Sequence, residues 1–499
     1  MQYRYEQIAD SIEQSIKTGD WSVGDKLPGE VEFCKKYNVG RSTIREALNV
    51  LKQKGIIVKK NGVGTFVGEG RGELNNPLLE LKSIVKKWTV LKRVASLGMM
   101  FTLTAGALTG CGSSTTADNS DGPVTLTIAA RGGSHVDVIN SVKEKFEKDN
   151  NVKIEVLGLE AADLKQKAAL DAVNSEGTYD LVMVDDPVMP EYIDGGVLMD
   201  LTKYGYNDDQ DFVSTSLEVG KDAKTKDTYA LPFNGNVQLF FYNNEVLKSL
   251  NATVPTSWEG VLDTAKNAKT AGKLGYNIRG QQGNPIVSDY LPIAWAYGAD
   301  VFDSNWNVTI DSEQSKQALQ MYIDLLATGA NYEKNDLVSS VSDGKSAMAL
   351  GWPSWFISSS GASAAYAAVP TKSTESSTTY STGMIGNWMM GVTNNSKHKD
   401  LSVKLLEYLT SEEVQTAAVD NGGVPTRTSV FNNQEVLTKY PYFKTVYEAS
   451  VNGKVRPRTA KWSKVEEALG IELSNAISGT KSVDTALSDA KKAIEGIMK

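Results

Sequence analysis

Tyr179-Asp180-Leu181-Val182-Met183-Val184-Asp185-Asp186 decides the architecture of most of this chain. Four consecutive apolar residues closed by two carboxylates read as a short buried strand, because a helix needs a longer run. Before it, Val124-Thr125-Leu126-Thr127-Ile128-Ala129 predicts a first strand, and after Gly132-Gly133-Ser134 a helix carries Val138, Val142 and Phe146. Val152-Lys153-Ile154-Glu155-Val156 is the second strand, with a helix over residues 163–174 behind it. Strand and helix alternate, so the expected sheet is parallel, with ligand-lining loops at the C-terminal ends of its strands. Arg131, Ser134, Asp185 and Asp186 fall at those ends. No glycine-rich phosphate loop follows any of these strands.

At 499 residues the chain holds about two to four domains. Two cysteines, Cys34 and Cys111, exclude a Cys₄ metal site. Two histidines, His135 and His398, leave zinc sites and most imidazole acid–base chemistry without parts. No metal, cofactor or catalytic residue is expected. The formal charge of −8 hides an asymmetry: residues 1–111 hold 17 Lys and Arg against 11 Asp and Glu, and the remainder 35 against 49. The basic front suits DNA or the inner membrane leaflet, and the acidic back is repelled by both.

In residues 1–70, Tyr5, Ile8, Ile12 and Ile16 form one helical stripe that Gly19 ends. A short helix, Glu30–Tyr37, turns into a longer one over 42–54, opened by the capping box Thr43-x-x-Glu46 and burying Ile44, Leu48 and Leu51. Residues 56–60 and 65–67 flank Asn61-Gly62-Val63-Gly64 as a β-hairpin. Three helices and a hairpin make an α+β winged helix-turn-helix. Gly24-Asp25-Lys26-Leu27-Pro28-Gly29-Glu30, Val39-Gly40-Arg41-Ser42-Thr43-Ile44-Arg45-Glu46-Ala47-Leu48 and Gly62-Val63-Gly64-Thr65-Phe66-Val67 closely resemble the DNA-binding domain of GntR-type regulators. The resemblance implies a recognition helix in the major groove, DNA contacts from Arg41, Thr43 and Arg45, the wing at Gly62, and dimerisation; Ser42 in the same helix start and Lys60 beside the wing are further candidate DNA contacts. Arginines at a helix N-terminus reach guanine edges or phosphates bidentately, which agrees. Gly29 departs from the usual serine, so a side-chain cap on the second helix is missing.

Residues 71–93 form a basic linker ending in Lys86-Lys87-Trp88-Thr89-Val90-Leu91-Lys92-Arg93, and 94–111 an apolar segment. Leu108-Thr109-Gly110-Cys111 resembles a bacterial lipobox, which implies cleavage before Cys111 and a membrane lipid on its thiol. A plain single-span anchor is the alternative. Either way the basic flank keeps the N-terminal part cytoplasmic and puts the C-terminal part outside. Residues 112–122 read as a flexible tether. From Val85 onward the segment would be a complete lipoprotein precursor if it began with Met, so a fusion of two genes or a second translation start both fit.

Residues 123–499 resemble family 1 extracellular solute-binding proteins of sugar ABC transporters. The resemblance is carried by Gly195-Gly196-Val197-Leu198-Met199-Asp200-Leu201, Tyr229-Ala230-Leu231-Pro232-Phe233, Pro255-Thr256-Ser257-Trp258-Glu259, Gly344-Lys345-Ser346-Ala347-Met348 and Gly423-Val424-Pro425-Thr426. It implies a periplasmic-binding-protein-like fold: a first α/β lobe over about 123–232 and 370–421, a second over 237–368 and 423–499, hinge crossings near 232–236, 369–371 and 422–425, and a partner ABC permease. Indole faces stack on sugar C–H faces while Asp, Asn and Arg bond the hydroxyls. Arg131, Ser134, Asp185, Asp186, Asn236, Arg279, Trp352, Trp355 and Arg458 are the candidate ligand contacts; Trp258 and Trp306 read as packing residues. The leading expectation is a lipid- or membrane-anchored carbohydrate receptor with a DNA-binding domain at its front. A one-piece membrane-tethered regulator sensing an external sugar is the alternative. Asp185 with Asp186 makes a poor glycosidase pair, because adjacent strand residues point apart.

Overall fold

The computed structural model describes residues 4–17, 21, 25–37, 44, 47–48, 51, 56–60, 64–67, 123–356, 362–372 and 383–499. They belong to two compact units, residues 1–117 and 118–499. In the small unit the helix Arg4–Lys17 buries Ile8, Ala9 and Ile12 against Leu27, Phe33, Ile44, Ala47, Leu51, Ile57 and Val67, a single apolar core. Ile44 and Leu51 are buried as expected, with Ala47 rather than Leu48 between them, since Leu48 is only half-buried at the edge of this core. Strands β1 (Ile57–Lys60) and β2 (Gly64–Val67) pair antiparallel with Lys60 opposite Gly64, closing the hairpin. The second helix, Glu30–Tyr37, starts at Gly29, whose N–H donates to Oε2 of Glu32 at 3.2 Å. That is the reciprocal half of a capping box, present although the side-chain half is missing.

The large unit has two sheets. In the first, β3 (Val124–Arg131), β4 (Val152–Leu159), β5 (Leu181–Asp185), β6 (Leu231–Asn234) and β11 (Trp388–Val392) lie in the order β4-β3-β5-β11-β6. β3 runs parallel to β4 and β5 as expected, but β11 is antiparallel to both β5 and β6, so the sheet is mixed. The returning chain enters from the far lobe, which sets its direction. The second sheet holds β7 (Leu239–Asn243), β8 (Leu274–Asn277), β9 (Ser346–Gly351) and β10 (Ala364–Ala367) in the order β10-β7-β9-β8. Its side chains alternate: Phe240, Met348 and Leu350 join the second lobe's core, whereas Phe241, Ala349 and Tyr366 join a core continuous with the first lobe.

The lobe boundaries need correcting. Thr371 still belongs to the second lobe, where its carbonyl accepts from Trp258 N–H at 2.8 Å. The second crossing is at 383–387, where Ile385 bridges Val237 and Gln238 N–H donates to Met384 O, so two crossing segments pair with each other. Nor does the chain leave the first lobe at 422–425. Asn234 Oδ1 accepts Val424 N–H at 2.8 Å, and Val430, Phe431, Phe443 and Val446 bury themselves in the first core. The third crossing follows at about 453–458, where Lys454 pairs with Gly383 and Ile385. The glycine pair 422–423 marks a turn with φ +82° at Gly422, and that turn resembles a crossover in sequence.

Candidate functional site

A cleft of about 360 Å³ lies between the lobes, within the size range of small-molecule sites. From the first lobe come Arg131, Ser134, His135, Asp185 and Trp388; from the second Arg279, Asn284, Lys334, Trp352, Ser354 and Trp355; from the crossings Asn236, Gly386 and Arg456.

β3 delivers Arg131 to its end, and Gly133 at φ +86° turns the chain into the helix Ser134–Asn150, whose first turn presents Ser134 and His135. The Arg131 guanidinium donates to Leu159 O at 3.1 Å and pairs with the exposed Glu160 at 2.9 Å. The His135 ring lies 5.6 Å from that of Trp388, and neither ring nitrogen has a partner among the described residues. Burial, aided by Arg131 and Lys334, holds His135 down to about 4, so it is neutral at pH 7.

β5 ends at Asp185, which lines the cleft, whereas Asp186 begins the next turn with its side chain fully buried against Arg456. Arg456 also lies 3.7 Å from Glu466. Burial pushes both carboxyls above the ordinary range, and Arg456 opposes that rise. Asp186 is therefore a structural ion-pair partner in this arrangement and does not line the cleft, which corrects its reading as a ligand contact.

Asn236 sits at the first crossing: its N–H donates to Asn387 Oδ1 at 2.8 Å and its Oδ1 accepts from Ser354 Oγ at 3.3 Å. Trp352 and Trp355 stand at the end of β9 with ring centroids 6.5 Å apart. Trp352 is nearly buried and its carbonyl accepts from the Tyr366 hydroxyl at 2.7 Å. Gly386 makes room for it, since a Cβ there would stand 2.4 Å from Trp352 Cζ3. The Arg279 guanidinium lies 4.7 Å and Lys334 Nζ 5.9 Å from the Trp355 ring centroid. Aromatic faces beside amide, hydroxyl and charged groups suit a ligand with both C–H faces and hydroxyls.

Seven of the nine expected ligand contacts thus line one cleft. Arg458 does not: its guanidinium donates to the carbonyls of Glu218 and Lys221, at and just beyond the C-terminus of the helix Ser214–Val219, where unpaired carbonyls attract a cation. Arg458 instead borders a separate depression with Trp306, which is 47% exposed and whose ring lies 5.2 Å from that of Phe302. Trp258, by contrast, is fully buried. Sequence reasoning missed His135, Lys334, Trp388 and Arg456; only Trp388 carried a signal, as one of the tryptophans of this part. Arg41, Ser42, Thr43, Arg45, Gly62 and Cys111, and all of 71–122, lie outside the described residues, as does the Lys60 side chain. Among the described residues no helix is long and apolar enough to cross a membrane, and no cluster of three or more His, Cys, Asp or Glu could hold a metal ion.

Residues 132–416 match the family described as bacterial extracellular solute-binding protein, and residues 4–67 match bacterial regulatory proteins of the gntR family. A probable amino-acid ABC transporter periplasmic-binding protein of Sinorhizobium fredii is 23% identical over 74% of this chain and 88% of its own length. The histidine utilization repressor of Klebsiella aerogenes is 38% identical over 80 residues, 16% of this chain and 32% of the repressor. Among solved structures, maltose-bound MalE3 of T. maritima matches with TM-score 0.67 and 21% identity over 75% of this chain and all of that one. A solute-binding protein of Agrobacterium radiobacter in complex with ribitol matches with TM-score 0.66 and 20% identity over 74% of this chain and 98% of that one.

Proposed function

Because the chain belongs to the bacterial extracellular solute-binding proteins and carries a gntR-family domain at its N-terminus, we propose that residues 123–499 capture a carbohydrate or polyol and deliver it to an ABC permease. The observation that carries this reading is the pair Trp352 and Trp355 facing a cleft that also presents Asn236, Ser354 and Asp185. Stacking supplies affinity for the ring and the polar groups fix its hydroxyls. The hinge works by selection: a ligand touching Arg131 and Asp185 on one lobe and Trp355 on the other is bound fully only when the lobes close. No reaction on the ligand is proposed. Titration of the full chain with maltose, ribitol and D-mannitol, followed by tryptophan fluorescence, tests this; a flat response to all three and to a wider sugar panel refutes it.

The anchor proposed is lipid on Cys111 after cleavage behind Gly110, with 94–111 as the signal segment and 112–122 as the tether, the solute-binding part outside the cell. DNA binding through Arg41, Ser42, Thr43, Arg45, Lys60 and Gly62, as a dimer, is proposed for the cytoplasmic front. The second reading, a one-piece sensor that passes sugar binding across the membrane to the winged helix, is favoured by one observation: both families lie on one chain. Immunoblots of membrane fractions with separate antibodies to residues 1–70 and 124–499 decide. One full-length species seen by both supports the sensor; a shorter C-terminal species beginning near Cys111 supports the receptor.

A further inference from the structure

The charges of the cleft divide into two halves. Around Arg456 carboxyls predominate, since Asp185, Asp186 and Glu466 surround that one guanidinium. Around Trp355 cations predominate. Arg279 and Lys334 both sit over its ring, and Lys334 is held below its ordinary range first by partial desolvation and then by the nearby Arg131 and Arg279. The counter-charges are weak or withdrawn. Glu160, on Arg131, is 77% exposed and screened by water. Asp289 and Glu333 both attract Arg279, but Asp289 spends one oxygen on the Arg279 backbone N–H at 2.7 Å, and among the described residues no ion pair joins Arg279 to either. Among the described residues neither Arg279 nor Lys334 has a salt-bridge partner, and Arg279 Nε is buried without any hydrogen bond. Arg279 is part-buried, so its unpartnered guanidinium is costly and a neutral hydroxyl compensates it poorly, whereas Lys334 is exposed and adds positive charge at the mouth of the cleft.

We propose that the carbohydrate taken by this cleft carries an anionic group, the carboxylate of a uronic acid or a sugar phosphate, seated among Arg131, Arg279 and Lys334 beside Trp355. The inference rests on the carbohydrate reading and narrows it. A guanidinium offers an anion two parallel donors, and Lys334 adds a mobile point charge. The placement also bears on closure. Arg131 belongs to the first lobe and Arg279 and Lys334 to the second, so without an anion the two rims repel as they approach; an anion bridging them turns that repulsion into attraction and biases the hinge toward the closed state. His135 stays neutral beside this cluster and leaves two unpartnered ring nitrogens for a neighbouring hydroxyl.

The test is calorimetric titration of the full chain at low and high salt. D-Galacturonate, D-glucuronate, digalacturonate and glucose 6-phosphate are compared with D-galactose, D-glucose, maltose, ribitol and D-mannitol. At least one anionic sugar is expected to bind about tenfold or more tightly than its neutral counterpart, with affinity falling as salt rises. A uronate preference assigns a carboxylate, and a preference for glucose 6-phosphate alone assigns a phosphate. Lys334→Met and Arg279→Gln are expected each to erase most of the preference, and Lys334→Met to leave the melting temperature of the unliganded chain unchanged or higher. Neutral sugars binding as tightly as anionic ones overturn the anion inference and leave the carbohydrate reading standing. A preference that survives both substitutions shows the anion sits elsewhere and overturns it too. Binding of no member of either set withdraws both.

Discussion

Arg456, on the third crossing, pairs with the fully buried Asp186 of the first lobe and lies 3.7 Å from Glu466 of the second. One guanidinium therefore ties both lobes at the hinge, in a place where a charge left alone is expensive. Arg456→Met is expected to destabilise the large unit by about 3–5 kcal/mol, because Asp186 then stays buried without a counter-charge. Adding Asp186→Leu to that variant is expected to recover most of the loss. Urea unfolding of the single and double variants checks this; equal stability of the two would show that the pair is not the source of the cost.

His135 predicts a pH dependence with a definite sign. Its folded-state value of about 4 lies below the ordinary 6.5, so between those limits the unfolded chain binds more protons than the folded one. Stability from this group is complete above about pH 6.5 and drains away as pH falls toward 4, by up to about 3 kcal/mol. His135→Gln is expected to flatten that part of the stability profile. A difference curve between the two proteins that is level from pH 7 to 4 would contradict it.

How far these features were legible beforehand depends on what each needed. The strand at 181–185 and the helix stripe Ile8, Ile12 were visible because burial writes a local period. Asp185, Arg131 and Asn236 were reachable because loops at strand ends line crevices. Arg456 was hidden, since its role depends on Asp186, 270 residues away, and the nearby Arg458 offered the same chemistry to a reader without the fold. Lys334 was equally invisible, as the first residue of a surface helix with an ordinary amphipathic pattern. The lobe boundary failed for a related reason: the aromatic set Phe431, Phe443 and Tyr447 decides it, and aromatic clustering leaves no period.

Gly386 is expected to tolerate no side chain. Its Cβ would meet the Trp352 ring edge at 2.4 Å, and that indole is already nearly buried. Gly386→Ala should cost about 1–3 kcal/mol by overpacking and push Trp352 out of its position in the cleft. The combined readout is a lowered melting temperature, altered tryptophan emission and weaker sugar binding. Wild-type emission and affinity in this variant would place Trp352 outside the binding surface.

In the small unit, Gly29 supplies only half of a capping box. Its N–H reaches Glu32, yet it has no hydroxyl to accept from the first turn of the helix Glu30–Tyr37. The position is exposed and a Cβ there meets nothing within 4 Å, so a serine can be added without steric loss. Gly29→Ser is expected to stabilise this unit by a few tenths of a kcal/mol, about what separates a glycine from a serine cap. Glu32→Ala in the Gly29→Ser background should cost more than in the wild type, because the two halves of the box order the same turn. Hydrogen exchange of the amides in Glu30–Tyr37 reads both effects locally. Unchanged exchange in Gly29→Ser would mean that the serine hydroxyl does not engage the helix and that the glutamate alone holds its start.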